Sequence, residues 1–274
     1  MNFTEKKFDV VILAGQSNAQ GNGLIPGVLP KPLENVYQAV DKKPPEYVFE
    51  NANGSPNLVV TFPVEYKIEN YQEWTDGKNS YADMAKGFAL DYISSGMLKE
   101  GRDILIIKSG VGGTGFSRNE WGITGPLYDR LNQMTDSILS LNPENKIVAF
   151  LWHQGEHDAF ENAQFTDEER YDFYYSRFKE QTVDFLNRYS RFKFPVIAGE
   201  IIKDWGADYR HQCDAVEKAT KQVIKEIGFG GVALSDGLIS NNQAIGNGDN
   251  IHFSAQSIFE FGRRYFNIYK EIVK

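Results

Sequence analysis

Apolar residues in this chain gather in five short consecutive runs, at positions 8–14, 104–108, 147–152, 195–202 and 231–235. Each run is too short for a typical helix, is rich in Val and Ile, and lacks a strict polar alternation. That is the pattern of strands buried on both faces of a parallel sheet. Between and after the runs, the apolar spacing changes to threes and fours. Thr166-Asp167-Glu168-Glu169 is a capping-box sequence that opens a stripe of Tyr171, Tyr174, Phe178 and Phe185. Cys213, Val216, Val223 and Ile227 mark a second helix. Ile258, Phe261, Tyr265, Ile268 and Ile272 mark another, with Ser254 as its cap. Helices are also expected over 81–93 and 127–141. Strands alternating with helices predict an α/β fold, with a parallel sheet, right-handed crossovers and helices on both faces.

One stretch breaks the pattern. Residues 24–79 hold seven of the ten prolines and the aromatics Tyr37, Tyr47, Phe49, Phe62, Tyr66, Tyr71 and Trp74. Proline density argues against regular elements there. The aromatics argue against disorder, so an ordered surface loop that walls a cleft is expected. The chain has 274 residues, 41% of them hydrophobic, enough for one well-buried domain, 1–274, carrying this insertion. The net charge of -8 has both signs scattered and no basic block, which argues against a nucleic-acid partner. No segment approaches the ~18 apolar residues of a membrane span. The polar N-terminus leads into only about seven apolar residues, unlike a signal peptide. Cys213 is the only cysteine, so no intramolecular disulfide is possible. A soluble, cytoplasmic protein is expected.

Ligands of an open parallel sheet bind beyond the carboxyl ends of its strands, so the residues just after each apolar run bear on function. Gly15-Gln16-Ser17-Asn18 comes after the first run. A Gly before a Ser at a strand-to-helix turn exposes the hydroxyl beside free backbone N–H groups, although an ordinary helix cap reads the same way. Ser109-Gly110-Val111-Gly112-Gly113-Thr114-Gly115 comes after the second run. It can present a backbone N–H to a developing negative charge, and its spacing does not match a phosphate loop. His153-Gln154-Gly155-Glu156-His157-Asp158 comes after the third. There Gln154 offers a side-chain amide to an oxyanion, and Glu156 can orient its neighbours. His153-x-x-Glu156-His157 also matches inverted zinc peptidases, which need both histidines on one helical face. The intervening Gly and the strand just before it argue against such a helix. Asp249-Asn250-Ile251-His252 precedes the final helix, and a carboxylate three residues before an imidazole can fix its tautomer. Trp121 and Trp205 are candidates to stack on a sugar ring.

Together, Gly15-Gln16-Ser17-Asn18, Gly112-Gly113-Thr114, Trp152-His153-Gln154-Gly155-Glu156 and Asp249-x-x-His252 resemble the ordered blocks of the SGNH (GDSL-like) hydrolases. The resemblance is closest to the branch of sialate O-acetylesterases and carbohydrate esterase family six acetylxylan esterases. It implies a three-layer α/β/α flavodoxin-like fold with about five parallel strands. It also implies a serine esterase without metal or cofactor that deacetylates carbohydrates through an acyl-enzyme. By that resemblance Ser17 is the nucleophile, and Asp249 and His252 are its charge partner and base. The N–H of Ser17, that of Gly112 or Gly113, and the amide of Gln154 form the oxyanion hole. Gln16, Asn18 and Glu156 support them. Ala19 stands where Met is expected, and His157-Asp158 where Ser-Asp or Ser-Asn is commoner, which bears on substrate preference more than on chemistry. The competing readings are an SGNH lipase or thioesterase, a zinc peptidase using His153, Glu156 and His157, and a non-catalytic carbohydrate-binding protein.

Overall fold

The structure is a computed structural model and describes residues 2–42, 46–52, 55–61, 65–161, 164–207 and 209–274, with backbone alone for 46–52 and 55–61. In chain order the elements begin with β1 (Phe8–Gly15), α1 (Ser17–Gln20), β2 (Gly23–Ile25), β3 (Val36–Asp41), β4 (Glu46–Ala52) and β5 (Ser55–Thr61). Next come β6 (Tyr66–Asn70), β7 (Trp74–Thr75), β8 (Ser80–Ala82), α2 (Met84–Ser94), β9 (Asp103–Gly110), α3 (Pro126–Leu141) and β10 (Lys146–His153). The chain ends with α4 (Glu156–Glu161), α5 (Asp167–Arg188), β11 (Val196–Gly199), α6 (Arg210–Ile227), β12 (Gly230–Ala233), α7 (Asn241–Ile245) and α8 (Ala255–Ile272).

The main sheet runs β12-β11-β10-β1-β9-β3-β6, parallel throughout except for β6, which lies antiparallel to β3. Without the β3–β6 edge, the order is the 2-1-3-4-5 of flavodoxin-like sheets. After β1 the chain moves to β9 on one side and returns for β10 on the other. The crevice that this reversal opens lies where the residues after β1 and β10 emerge.

Every residue of β1 is buried, and the alternation of its side chains shows why its sequence is apolar without a gap. Val10, Ile12 and Ala14 face one core, with Leu131 of α3, Phe178 of α5 and Val216 of α6. Val11 and Leu13 face the other, with Phe88 of α2 and Phe261 of α8. The sheet therefore has a helical layer on each face, as the sequence pattern predicts. Thr166 and Glu169 form the capping box that opens α5, and Ser254 caps α8. The helix expected over 81–93 begins only at Met84, because 80–82 pair as β8 and the Asp83 carboxylate caps the helix through Ala85 N. Cys213 is buried, and burial pushes its thiol up to about 12.

The 24–79 stretch differs from the expectation of an irregular loop. It supplies β3 and β6, so among the described residues the sheet has seven strands rather than five. Its prolines explain how this is possible. Pro26, Pro30 and Pro32 sit in the connection from β2 to β3, and Pro56 sits in the separate two-stranded β4–β5 pair. Strands of five or six residues fit between such positions without losing a ladder hydrogen bond. Phe62 lies outside the described residues. Among the described residues no helix is long and apolar enough to cross a membrane.

Helices α2 and α8 pack through glycines. A Cβ on Gly262 would lie 1.9 Å from the Met84 carbonyl oxygen, and one on Gly87 would lie 2.1 Å from that of Phe259. Gly262→Ala is therefore expected to push the two helices apart at a cost of about 1–3 kcal/mol, the usual range for overpacking. Urea denaturation should show a lower midpoint, and an unchanged midpoint would contradict the close approach.

Candidate active site

Gly15 ends β1 at φ +135°, and a Cβ there would lie 1.9 Å from the His153 carbonyl oxygen of β10. Only glycine allows this approach and this backbone conformation. Gln16 N then donates to that same oxygen at 2.9 Å, and the chain turns at once into α1. Ser17 is its first residue and is buried, with no acceptor for its N–H among the described residues. A free N–H is expected at a helix start.

His252 and Asp249 stand on the loop between α7 and α8. The imidazole Nδ1 lies 2.9 Å from Asp249 Oδ2, and the His252 backbone N–H donates to Asp249 Oδ1 at 3.2 Å. Asn241 donates to the same carboxylate at 2.9 Å and to the Asn22 carbonyl oxygen at 2.8 Å. Burial works to raise the Asp249 carboxyl, but the hydrogen bonds from His252 and Asn241 outweigh it and hold the group below the usual carboxylate range.

Asn18 joins this loop to the turn that carries Ser17. Its amide donates to Glu156 Oε1 at 2.8 Å and to the Ile251 carbonyl oxygen at 3.2 Å, and its oxygen accepts from Phe253 N at 3.2 Å. Glu156 is fully buried, with His153 Nε2 3.3 Å from Oε1. Burial works to raise its carboxyl, but the facing His153 and the Asn18 amide more than offset that and hold it below the usual range.

Ser17, His252, Gln16, Gly112 and Gly113 all line one cavity of about 480 Å³. Glu156, His157, Asn22 and Ile251 complete its floor and sides, and Phe160 and Trp205 also border it. The Ser17 and His252 side chains share this cavity without a hydrogen bond between them. Burial and the Arg118 charge hold the His157 imidazole below its ordinary value.

The two glycines differ in how they are engaged. Gly112 N donates to Gln20 Oε1 at 2.8 Å, whereas Gly113 N has no acceptor among the described residues. Arg118 holds the Gly113 carbonyl oxygen. Gln154 is not at the cavity. Its side-chain nitrogen is turned inward onto Asp158 Oδ2 at 2.9 Å, the Thr114 carbonyl oxygen at 3.2 Å and Gln16 Oε1 at 3.2 Å. The expectation that Gln154 faces an oxyanion is corrected on that ground. Gln16, although buried, lines the cavity instead. Its oxygen accepts from His157 N at 3.0 Å, Gly155 N at 3.5 Å and Gln154, which leaves its nitrogen without a protein acceptor among the described residues. Asp158, which also accepts from Phe116 N at 3.0 Å and Ser117 N at 2.7 Å, ties the glycine-rich loop to α4.

Trp121 is also corrected. It is fully buried, donates to Thr114 Oγ1 at 3.0 Å and packs edge-on against Trp152, with ring centroids 5.1 Å apart, so it belongs to the core. Trp205 is at the cavity as expected. His153 and His157 do not share a helical face. His153 ends β10 and packs against Phe253 and Phe261, whereas His157 lies in α4 at the cavity. Among the described residues no three His, Cys, Asp or Glu side chains converge as a metal site would require. Sequence reasoning missed Gln20, Asn241, Asp158 and Phe160. The only signal for Gln20 is its place one helical turn after Ser17, which puts it above the nucleophile on the same face.

The strand order is that of a flavodoxin-like α/β sheet, with Ser17 and His252 on one cavity at its carboxyl edge. The model of the carbohydrate esterase, sialic acid-specific acetylesterase family matches residues 7–271, and the chain belongs to that family. It is accordingly a carboxylic ester hydrolase acting on carbohydrate acetyl esters. Among solved structures the chain is similar to NanS, at 17% identity and a TM-score of 0.69, with 98% of this chain and 97% of that one covered. It is similar to a protein from Arabidopsis thaliana at 17% identity and a TM-score of 0.66, with 97% and 98% covered. A carbohydrate acetylesterase from Xanthomonas citri shares 14% identity and a TM-score of 0.57, over 96% of this chain and 56% of that one. No curated protein sequence matches.

Asn18→Ala removes both links between the Ser17 turn and the His252 loop and also leaves the buried Glu156 short of a donor. A stability loss of about 1–3 kcal/mol is expected, together with a lower kcat at an unchanged Ser17. Denaturation midpoint and turnover should fall together, and a variant with both at wild-type values would contradict this role.

Proposed function

We propose that the protein removes O-acetyl groups from carbohydrates through a Ser17–His252–Asp249 triad and an acetyl-enzyme. The observation that carries this reading is the His252–Asp249 pair at 2.9 Å on the cavity that Ser17 also lines. His252 takes the Ser17 proton through Nε2 as the hydroxyl attacks the acetyl carbonyl. Asp249 accepts from Nδ1, fixing the tautomer and stabilising the imidazolium. The oxyanion is met by the N–H groups of Ser17 and Gly113 and by the Gln16 amide, joined by Gly112 N once Gln20 releases it. His252 then protonates the departing sugar oxygen, and water attacks the acetyl-enzyme in a second round.

Support for Gln16 as a donor comes from its oxygen, which three partners hold inward, so its nitrogen is left toward the cavity. Gln16→Glu keeps that acceptor and replaces the donor by an anion. It should fold normally and lose the equivalent of about 2.7–4 kcal/mol of transition-state stabilisation. Near wild-type kcat in this variant would remove Gln16 from the oxyanion hole.

The depressed Asp249 carboxyl has a consequence for pH. A group held below its unfolded value stabilises the fold above that value, and this contribution is lost as pH falls through the depressed folded value. Asp249 therefore stays anionic from neutral into mildly acidic solution. Asp249→Asn should lower kcat on the order of 10³–10⁴-fold at neutral pH. Acetate release from p-nitrophenyl acetate, compared with butyrate and octanoate and with acetylated sugars, tests the whole scheme in wild type and Ser17→Ala, with and without EDTA. Acetate-preferring activity that disappears in Ser17→Ala is expected, and activity that survives Ser17→Ala would overturn the triad.

A further inference from the structure

A second cavity, of about 330 Å³, lies on the far side of the glycine-rich loop, against the β3–β6 edge of the sheet. Gly110 and Val111 line it, whereas Gly112 and Gly113 line the Ser17 cavity. Gln20 stands between the two. Its side chain lines the second cavity while its amide oxygen holds Gly112 N at 2.8 Å.

Three features of its wall point to one kind of ligand. Trp74 is 49% exposed, with its ring set against Tyr81 at a centroid distance of 4.5 Å. A half-exposed indole braced in this way offers a flat apolar face. Gln38 is 3% exposed and donates to Glu69 Oε1 at 3.0 Å, yet its own amide oxygen is buried without a partner. An unpaired buried acceptor is costly and awaits a donor. The charges around it are balanced within the protein. Lys67 pairs with Glu69 at 2.6 Å, Lys108 with Asp83 at 2.5 Å and Lys42 with Glu65 at 2.7 Å, and Asp41 and Glu73 pair with Arg130 and Lys86. A wall of paired charges has no net attraction for an anion. It offers a dense mixture of donors and acceptors beside an aromatic face, which suits the hydroxyls and C–H face of a neutral sugar ring.

We infer that this cavity is a subsite for a neutral sugar unit linked to the acetylated one, with Trp74 stacking on its ring and Gln38 accepting one of its hydroxyls. The inference rests on the carbohydrate-esterase reading of the Ser17 cavity. A sugar seated there also meets Gln20, so extended substrates are placed to draw Gln20 off Gly112 and to raise kcat as well as lower KM.

Binding without chemistry separates this inference from the esterase reading. Isothermal titration of the wild-type protein with xylotetraose and with 3′-sialyllactose, neither of which carries an acetyl ester, is expected to show binding of at least one in the millimolar range. The two probes distinguish a β-linked pentose chain from a lactose unit attached to a sialic acid. Trp74→Ala and Gln38→Leu should each weaken that binding about five- to tenfold. Each variant should lower kcat/KM on an acetylated oligosaccharide relative to p-nitrophenyl acetate by a similar factor. No binding of either probe at about 10 mM would overturn the subsite, even where p-nitrophenyl acetate is hydrolysed. Binding that neither variant weakens would place the sugar elsewhere and overturn it equally. Binding that depends on Trp74 in a protein without esterase activity would leave the subsite standing and remove the reading on which its kinetic role depends.

Discussion

The buried carboxamide of Asn18 is the contact on which the arrangement of the site depends. Ser17 and His252 are far apart in the chain, and they belong to different elements at one end of the sheet. Asn18 reaches across this gap with three hydrogen bonds, two of them to the backbone on either side of His252. Its third partner, Glu156, belongs to the segment after β10, so three separate parts of the chain are fixed by one side chain. An amide is suited to this work because it both donates and accepts, whereas a carboxylate at the same place would face Glu156 as a like charge. The same amide also donates to buried Glu156, whose Oε1 faces Asn18 and His153 while Oε2 has no hydrogen-bond partner among the described residues.

The fold supplies the position that Asn18 then refines. Reversal of the strand order beside β1 opens a crevice between the ends of β1 and β10, and Gly15 lets those ends approach until Gln16 N bonds the His153 carbonyl oxygen. Had Gly15 carried a side chain, that oxygen would be 1.9 Å from its Cβ. The turn would move, and with it the helix start that presents Ser17. The order in the chain of causes is backbone first, then the polar network, then the reactive groups.

How much of this was legible in the sequence depended on whether a signal was local. The meeting of Ser17 and His252 at one cavity could be read because both follow apolar runs, and such runs end at one edge of a parallel sheet. The α5 cap could be read because four consecutive residues define it. The β3 and β6 strands could not, since prolines in the neighbouring connections hid short strands that become apparent only through pairing of β3 with β9 and of β6 with β3. Trp121 and Trp205 occupy similar places after strands, yet one is core and the other borders the cavity, a difference set by packing against Trp152 far along the chain. Gln154 and Gln16 are the sharpest case. Both are amides beside the site, and the Asp158 carboxylate decides between them by capturing Gln154 Nε2 and leaving Gln16 to face the cavity.

In the proposed scheme Gln20 keeps one oxyanion donor, Gly112 N, satisfied before substrate arrives, whereas Ser17 N and Gly113 N have no acceptor among the described residues. An oxyanion hole is useful only if its N–H groups are preorganised, but preorganised donors with nothing to bind are costly when withdrawn from water. Gly112 N resolves the conflict by donating to Gln20 Oε1, which returns the amide to neutral hydrogen bonding at the expense of having to be displaced. The exchange is nearly balanced when the substrate carbonyl is neutral, since one carbonyl-type oxygen replaces another. It becomes favourable as negative charge develops, because charge-assisted hydrogen bonds are roughly twice as strong as neutral ones. A side chain that competes with the ground state but not with the transition state shifts stabilisation toward the latter, which is what raises kcat rather than merely lowering KM.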